Sequence, residues 1–139
     1  MSNILILCTG NSCRSQMAEG ILKSMGSSLN VFSAGTKPAP EVHPYAIEVM
    51  AEIGLDISRN KPKLVDEFIG MDFDYVITVC DNAKETCPLF TGQVKHRLHI
   101  GFPDPADAKG SHDEVMAEFR KVRDMIKKEF ETFYKSLVV

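Results

Sequence analysis

Apolar residues in this chain form two kinds of pattern, short continuous runs and longer stretches with helical spacing. Short runs rich in Ile, Leu, Val and aromatic residues predict strands. Apolar positions three or four residues apart predict helices that bury one face. The predicted strands are residues 3–8, 30–35, 73–80 and 94–100, the last more exposed than the others. The predicted helices are residues 15–25, 45–53, 64–71 and 112–137.

Two local signals support the helix boundaries. Pro44 can open the second helix at its first position, where a missing N–H costs nothing. Ser111 and Glu114 have the spacing of a capping box at the start of the last helix. Strands that alternate with helices predict an α/β fold with a parallel sheet. We therefore expect one catalytic domain over residues 1–139, with a four-stranded parallel sheet flanked by helices in three layers.

Composition and charge exclude several classes of protein. The chain has 44% apolar and 25% charged residues and a net charge of −3, so it offers no basic surface for nucleic acid or an anionic membrane. Its longest apolar run, residues 4–8, is too short for a membrane span or a signal peptide. We expect a cytoplasmic monomer.

The cysteines are the first candidates for chemistry. Their positions are Cys8, Cys13, Cys80 and Cys87. A chain of this size does not need a disulfide framework, and the spacings fit poorly to paired zinc knuckles, so no metal site is expected. Cys8 and Cys80 each end a predicted strand. Ligands of parallel sheets bind at the carboxyl ends of strands, so two thiols are predicted at the binding edge.

The histidines do not change this prediction. They are scattered along the chain at His43, His96, His99 and His112. None has a convincing ligand spacing relative to the cysteines, so all are expected to be structural or to face solvent.

The segment from Cys8 to Arg14 has the form Cys-x5-Arg between a buried strand and a helix. Successive backbone N–H groups in such a turn can form an anion-binding nest, and the helix N-terminus adds a positive dipole. Arg14 adds a planar fork suited to a tetrahedral oxyanion. The same environment lowers the pKa of a thiol, so Cys8 is the expected nucleophile. The predicted oxyanion-binding residues are Thr9, Gly10, Asn11, Ser12, Cys13, Arg14 and Ser15.

The stretch CTGNSCRSQMAEG, residues 8–20, resembles the phosphate loop of the low-molecular-weight protein tyrosine phosphatase superfamily. It is most similar to the thioredoxin-coupled arsenate reductases built on that fold. Other matching segments follow in order: SAG at 33–35, GLDIS at 54–58, VITVC ending at Cys80, CP at 87–88, GFPDPA at 101–106 and FRKVRDMI at 119–126.

The resemblance implies a relay of three thiols. Cys8 attacks arsenate, Cys80 attacks Cys8 and releases arsenite, and Cys87 attacks Cys80, leaving a disulfide that thioredoxin reduces. A phosphatase would need only Cys8. By contrast, Cys13 is expected to contribute its backbone N–H to the nest and its side chain to packing.

The resemblance also assigns the general acid to Asp104, in an Asp-Pro loop after the fourth strand. Phosphatases of this fold usually carry an aromatic residue after the Asp-Pro, and Ala106 stands there instead. Arsenate reduction is therefore the first hypothesis. Alternatives are a low-molecular-weight phosphatase that hydrolyses phosphate monoesters, and an oxyanion-binding or regulatory protein without turnover.

Many of these reductases hold potassium beside the loop. The resemblance places Asn11, Glu19 and Ser33 at that site, but the expected downstream Asp aligns with Lys63. A lysine ammonium can take the place of the cation and pair with Glu19. We therefore expect support of the loop by these four residues, no tightly bound cofactor, and weak or absent dependence on potassium.

Overall fold

The computed structural model of the chain describes residues 2–81 and 89–137. Its four strands form one parallel sheet in the order β2-β1-β3-β4. The strands are β1 (Ser2–Cys8), β2 (Leu29–Gly35), β3 (Phe73–Thr78) and β4 (Val94–His99). The α-helices are α1 (Arg14–Met25), α2 (Pro44–Ala51) and α3 (His112–Leu137), and single 3-10 turns lie at Val65–Phe68 and Pro105–Asp107.

The three-layer α/β architecture is confirmed. Side chains of β1 alternate between two buried clusters because successive residues of a strand point to opposite faces. Ile4, Ile6 and Cys8 belong to the cluster that contains the apolar faces of α1, α2 and α3. Leu5 and Leu7 belong to the cluster on the other face, which includes Phe68 of the first 3-10 turn. The central strand is therefore covered on both faces, as its unbroken apolar sequence predicts.

Two local predictions about helix ends are confirmed. Pro44 occupies the first turn of α2. The Ser111 hydroxyl accepts a bond from Glu114 N, and a Glu114 carboxylate oxygen accepts one from Ser111 N, both at 3.2 Å. The capping box therefore closes the start of α3, whose buried stripe includes Phe119, Val122 and Ile126.

Most boundaries shift by one or two residues from the sequence prediction, and two differences bear on the fold and the site. The helix expected at 64–71 is only the 3-10 turn Val65–Phe68, in which Phe68 is buried, while Val65 and Met71 are partly buried against the same cluster. Strand β3 ends at Thr78 rather than Cys80, although Val79 N still donates to Leu7 O at 2.9 Å. The polar segment that contains Cys87 lies outside the described residues.

Candidate active site

The loop after β1 surrounds a small cavity at the carboxyl edge of the sheet. Cys8 ends the strand, and α1 begins at Arg14. Between them Asn11 has a φ of 49°, a left-handed conformation that Asn tolerates better than most residues. The cavity measures about 190 Å³ and is lined by Cys8, Thr9, Gly10, Asn11, Ser12, Cys13, Arg14 and Asp104. Its size suits a small tetrahedral anion better than a drug-sized ligand.

The orientation of the loop peptides is fixed from outside. Three of its carbonyls accept backbone N–H groups from residues 37–43: Lys37 N to Thr9 O at 3.0 Å, Ala39 N to Gly10 O at 2.9 Å, and His43 N to Ser12 O at 2.9 Å. In a trans peptide the N–H points opposite to the carbonyl. The N–H groups of these peptides therefore point away from residues 37–43, which is the orientation that an anion-binding nest in this loop would require.

Two oppositely charged side chains lie side by side at this cavity. The Arg14 side chain is 4% exposed, and its Nη1 donates to Phe102 O at 3.1 Å. Arg14 Nη2 lies 3.5 Å from Asp104 Oδ2, and Asp104 is partly exposed. Asp104 Oδ1 also accepts Ala106 N at 3.0 Å, which closes the 3-10 turn at Pro105. The structure thus brings the candidate acid and the candidate guanidinium to one wall of the cavity.

Behind the loop, the Asn11 side chain is buried and uses both ends of its amide. Its Nδ2 donates to Ser15 Oγ at 2.7 Å and to Ser33 Oγ at 3.0 Å. Its Oδ1 accepts from Lys63 N at 2.9 Å and from Gln16 Nε2 at 3.1 Å. These bonds connect the loop to α1, to β2 and to the segment before the first 3-10 turn.

Glu19 extends this network. Its Oε1 accepts the Ser33 hydroxyl at 2.8 Å and lies 3.9 Å from Lys63 Nζ. Lys23 Nζ lies 3.2 Å from the other oxygen, Glu19 Oε2. A buried carboxylate is costly unless it is paired and hydrogen-bonded, and Glu19 has both kinds of partner. The residues expected to support the loop are therefore gathered at one place.

The two thiols of the loop have different surroundings. Cys8 and Cys13 are both buried and reduced. Burial raises the pKa of Cys13 to about 12, while a bond to Ser12 Oγ at 3.6 Å opposes the shift. Cys13 is therefore a protonated thiol at neutral pH and packs in the core cluster.

Cys80 lies two residues beyond the end of β3. Leu7 pairs with Thr78, so the two neighbouring strands deliver Cys8 and Cys80 to the same edge of the sheet. Cys80 is fully buried in the cluster that contains Cys8 and Cys13, and it is disulfide-bonded. Cys87, the third predicted thiol, lies outside the described residues.

Two further hydroxyl groups belong to the loop region: Thr9 lines the cavity, and Ser15 bonds to Asn11 behind it. Thr9 Oγ1 is buried and has no hydrogen-bond partner among the described residues. Ser15 is fully buried, and its Oγ accepts from Asn11 Nδ2, so its own proton remains available to a neighbouring acceptor.

The histidines have roles in packing and capping. His43 caps α2 by accepting Tyr45 N at 3.1 Å, and its ring packs 4.8 Å from Phe119. Burial lowers its pKa, so it is largely neutral at pH 7. His96, His99 and His112 are exposed and contact Tyr75, Thr78 and Tyr45 in turn.

Among the described residues, no group of three or more His, Cys, Asp or Glu side chains could hold a metal ion. Within the same residues no helix has the length and apolar character to cross a membrane.

Two residues of the network were not identified from sequence. Gln16 is fully buried and bonds to Asn11, and Asn60 Nδ2 donates to Gln16 Oε1 at 3.2 Å. An uncharged amide off the apolar stripe of α1 looks like a solvent-facing residue. Its position directly after the Cys-x5-Arg loop was the only available signal.

A strand, an anion loop with Cys and Arg, and an Asp-Pro turn on a four-stranded parallel sheet define a phosphatase-type site. The chain belongs to the low molecular weight phosphotyrosine protein phosphatase family, which it matches over residues 3–138.

Several similar proteins are arsenate reductases. The chain is 47% identical to an arsenate reductase of Halalkalibacterium halodurans over 131 residues, covering 94% of this chain and 93% of that one. A solved structure described as an arsenate reductase in the phosphate binding state superposes with a TM-score of 0.81 at 32% identity, covering 98% of both chains. A thioredoxin-dependent arsenate reductase of Corynebacterium glutamicum gives a TM-score of 0.60 at 30% identity, covering 95% of this chain and 63% of that one.

Proposed function

We propose that this protein reduces arsenate to arsenite with Cys8 as nucleophile, Cys80 and Cys87 as the following thiols, and thioredoxin as the final reductant. The observation that carries the proposal is the placement of Cys8 in a small anion cavity beside Arg14 and Asp104, next to the strand that leads to Cys80. Similarity to arsenate reductases over almost the whole chain supports the choice of substrate.

In the first step the inward N–H groups of the loop and the Arg14 guanidinium hold the oxyanion. The Cys8 thiolate attacks arsenic, a sulfur–arsenic bond forms, and one arsenic–oxygen bond breaks. Asp104 donates a proton to the departing oxygen, which leaves as water. Thr9 Oγ1, which lacks a partner among the described residues, is a further donor for the bound anion.

In the second step the Cys80 thiolate attacks Cys8 Sγ. The sulfur–arsenic bond breaks and its electron pair stays on arsenic, so As(V) becomes As(III) and arsenite leaves. The product on the protein is a Cys8–Cys80 disulfide. Burial of both cysteines in one cluster, at the ends of neighbouring strands, supports this transfer.

In the third step the Cys87 thiolate attacks Cys80 Sγ, and Cys8 returns to the thiolate. A dithiol of thioredoxin then reduces the Cys80–Cys87 disulfide, which supplies the two electrons of the cycle. The disulfide-bonded state of Cys80 is compatible with an oxidised form of the protein before thioredoxin acts. Similarity to a thioredoxin-dependent reductase supports thioredoxin as the partner.

The proposal also holds that the loop needs no potassium ion for support. Lys63 Nζ lies 3.9 Å from Glu19 Oε1, and Lys63 N donates to Asn11 Oδ1. The ammonium thereby takes the place expected for a cation, so the enzyme needs no tightly bound cofactor. The cellular role that follows is arsenic detoxification by a cytoplasmic monomer.

The second candidate is hydrolysis of phosphate monoesters through a cysteinyl-phosphate intermediate. Membership of a phosphatase family favours it, because Cys8, Arg14 and Asp104 would suffice for that reaction. The methyl group of Ala106 offers no aromatic surface to grip a phosphotyrosine ring, so we expect this activity to be weak.

A coupled assay separates the two candidates. Protein, arsenate, thioredoxin, thioredoxin reductase and NADPH are mixed, and NADPH oxidation is followed for the wild type, Cys80→Ser and Cys87→Ser. We expect turnover to fall to background in both variants, while Cys13→Ala retains it. Undiminished arsenate turnover in Cys80→Ser and Cys87→Ser would contradict the relay. Weak hydrolysis of an aryl phosphate should persist in both, because it needs neither thiol.

A further inference from the structure

Gln16 occupies an unusual place for a polar side chain. It lies two residues after Arg14 in the first turn of α1 and is fully buried. Its amide nitrogen donates to Asn11 O at 3.2 Å, to Asn11 Oδ1 at 3.1 Å and to Lys61 O at 3.2 Å. Two protons serve three acceptors, so one bond is shared. Its amide oxygen accepts from Asn60 Nδ2 at 3.2 Å, so every polar group of this side chain is used.

The bond to Asn11 O fills a gap in the support of the loop. The carbonyls of Thr9, Gly10 and Ser12 are held outward by backbone N–H groups of residues 37–43. Within residues 2–81 and 89–137, Asn11 O is the only loop carbonyl that accepts a hydrogen bond from a side chain, and the donor is Gln16 Nε2. Since N–H and C=O of a trans peptide point in opposite directions, this bond turns Ser12 N–H toward the cavity.

We propose that Gln16 is a positioning residue for oxyanion binding, which orients the Asn11–Ser12 peptide so that its N–H completes the nest. The inference rests on the oxyanion-binding role of the loop proposed above. Gln16 touches no reacting atom and acts through Asn11. Preorganised donors stabilise an anion because they need not turn when it arrives.

The strain at Asn11 explains why such a clamp is needed. A residue with a φ of 49° lies in a sparsely populated region that persists only when its surroundings hold it there. Without the amide of Gln16, Asn11 O would lose its donor, and rotation of the peptide would turn this carbonyl toward the anion. The same amide joins the loop to residues 60 and 61, which keeps Lys63 close to Asn11.

The test compares Gln16→Met with Arg123→Met. Both substitutions keep a long unbranched side chain and remove a buried donor to a backbone carbonyl. Arg123 donates to Val49 O at 2.9 Å, on α2 rather than on the loop. The control therefore reproduces a loss of buried hydrogen bonds away from the cavity.

Phosphate serves as the probe, and alkylation of Cys8 serves as the readout. The reduced full-length proteins are treated with iodoacetamide at pH 5 to 9 with increasing inorganic phosphate, and the Cys8 peptide is quantified by mass spectrometry. For Gln16→Met we expect half-protection to require about tenfold more phosphate, as loss of one buried hydrogen bond implies. The apparent pKa of Cys8 should rise by about one unit, because the same N–H groups stabilise the thiolate.

In Arg123→Met, phosphate should protect Cys8 at the same concentration as in the wild type, although this variant should unfold at a lower urea concentration. A phosphate midpoint and a Cys8 pKa in Gln16→Met that match those of Arg123→Met would overturn the positioning role. If circular dichroism shows that Gln16→Met does not fold, Asn60→Ala replaces it, because it removes the donor to Gln16 Oε1 from a partly exposed loop. Asn60 Nδ2 also donates to Glu19 Oε2 at 3.4 Å, so Lys23→Ala, which removes another donor to that oxygen, is its control. We then expect protection about two- to threefold weaker than in the wild type, and unchanged protection would overturn the inference.

The wild type distinguishes this inference from the proposed function. If phosphate protects Cys8 equally in the wild type and in the variants, only the proposed role of Gln16 is rejected. Absence of protection in the wild type rejects oxyanion binding by the loop, and with it the proposed function.

Discussion

Two polar networks in this molecule contain similar hydrogen bonds but have different roles. The loop network comprises Asn11, Ser15, Gln16, Glu19 and Ser33, which are all at most 3% exposed. The helix network joins Glu52 on the turn after α2 to Arg120 and Arg123 on α3. Its Glu52 and Arg120 side chains are 35% and 45% exposed. The first network fixes the shape of the loop that lines the candidate site, and the second joins two helices near the surface, with Arg123 as its one buried member.

The difference lies in what happens when a bond is lost. A buried polar atom left without its partner bears the full cost of desolvation, whereas an exposed one is rehydrated. Exposed ion pairs therefore contribute little to stability, and even the shorter contacts of Glu52 are screened by water. We expect changes in the loop network to alter both folding and anion binding, and changes in the helix network to alter folding alone.

The largest effect should come from Asn11→Ala. This substitution removes the bonds to Ser15, Ser33 and Lys63 N and places Ala at a φ of 49°. We expect arsenate kcat/KM to fall at least about 100-fold and the free energy of unfolding to fall by about 2–4 kcal/mol. Turnover in the coupled assay and urea denaturation measure the two effects.

Asn11→Gly is the matched control for backbone strain. Glycine adopts the left-handed conformation without steric cost, so this variant isolates the loss of the side-chain bonds. We expect it to regain about 1 kcal/mol of stability relative to Asn11→Ala while remaining poorly active. Activity near the wild type in Asn11→Gly would show that the side-chain network does not matter for the loop.

An intermediate effect is expected from acid on the helix network. Bonds from Arg120 and Arg123 hold the pKa of Glu52 at about 2, below its ordinary value of 4.5. A lowered pKa in the folded state stabilises the protein above pH 4.5, and this stabilisation is lost as the pH falls from 4.5 toward 2. The gap in urea midpoint between wild type and Glu52→Gln should therefore be widest near pH 7 and should close by about pH 2–3.

Phosphate protection of Cys8 provides the contrast for Glu52→Gln. At pH 7 it should equal that of the wild type, since this network does not reach the loop. A gap in midpoint that is constant from pH 7 to pH 3 would show that Glu52 titrates normally in the folded state.

The smallest effect concerns cations at Glu19. We expect replacement of sodium by potassium to shift the melting temperature of the wild type by less than about 1 °C, because Lys63 already neutralises the carboxylate. Lys63→Ser should create a potassium-dependent increase of about 4–6 °C at 100 mM salt, if a cation then binds with a Kd about tenfold below that concentration.

Lys23→Ala is the control for charge removal beside Glu19, since its ammonium lies 3.2 Å from Glu19 Oε2 but is 53% exposed. Potassium should have no specific effect on it. A specific potassium effect on the wild type that matches the effect on Lys63→Ser would contradict the substitution of lysine for the cation.

Much of the fold could be predicted from the sequence because its signals are local. Pro44 and the pair Ser111 and Glu114 mark helix starts through bonds made within a few residues. The prediction for segment 64–71 was wrong because its apolar residues suggested a helix, while tertiary packing buries only Phe68 of the turn and leaves Val65 and Met71 partly buried. Periodicity shows where a helix could bury a face, but it does not show whether another element covers that face.

The candidate site likewise contains residues that local sequence signals predicted and residues that they did not. The sequence predicted Cys8, Arg14 and Asp104 as neighbours, and the structure places them around one cavity. Gln16 was missed although Asn11 lies only five positions before it, because those bonds depend on the fold of the loop and its other partners, at residues 60 and 61, lie more than 40 positions away. An amide has no charge or periodicity that would mark it in advance, so its role depends on long-range packing.

Gly35 shows that an absent atom can also shape the loop. It ends β2 beside Cys8, and a Cβ placed on it would lie 2.3 Å from the backbone oxygen of Thr9. Backbone on both sides leaves no flexible side chain to move aside, so every other amino acid at position 35 would displace the turn that follows Cys8. In a library of all single substitutions, position 35 should therefore be as restrictive as the nucleophile itself, although it contributes no chemistry.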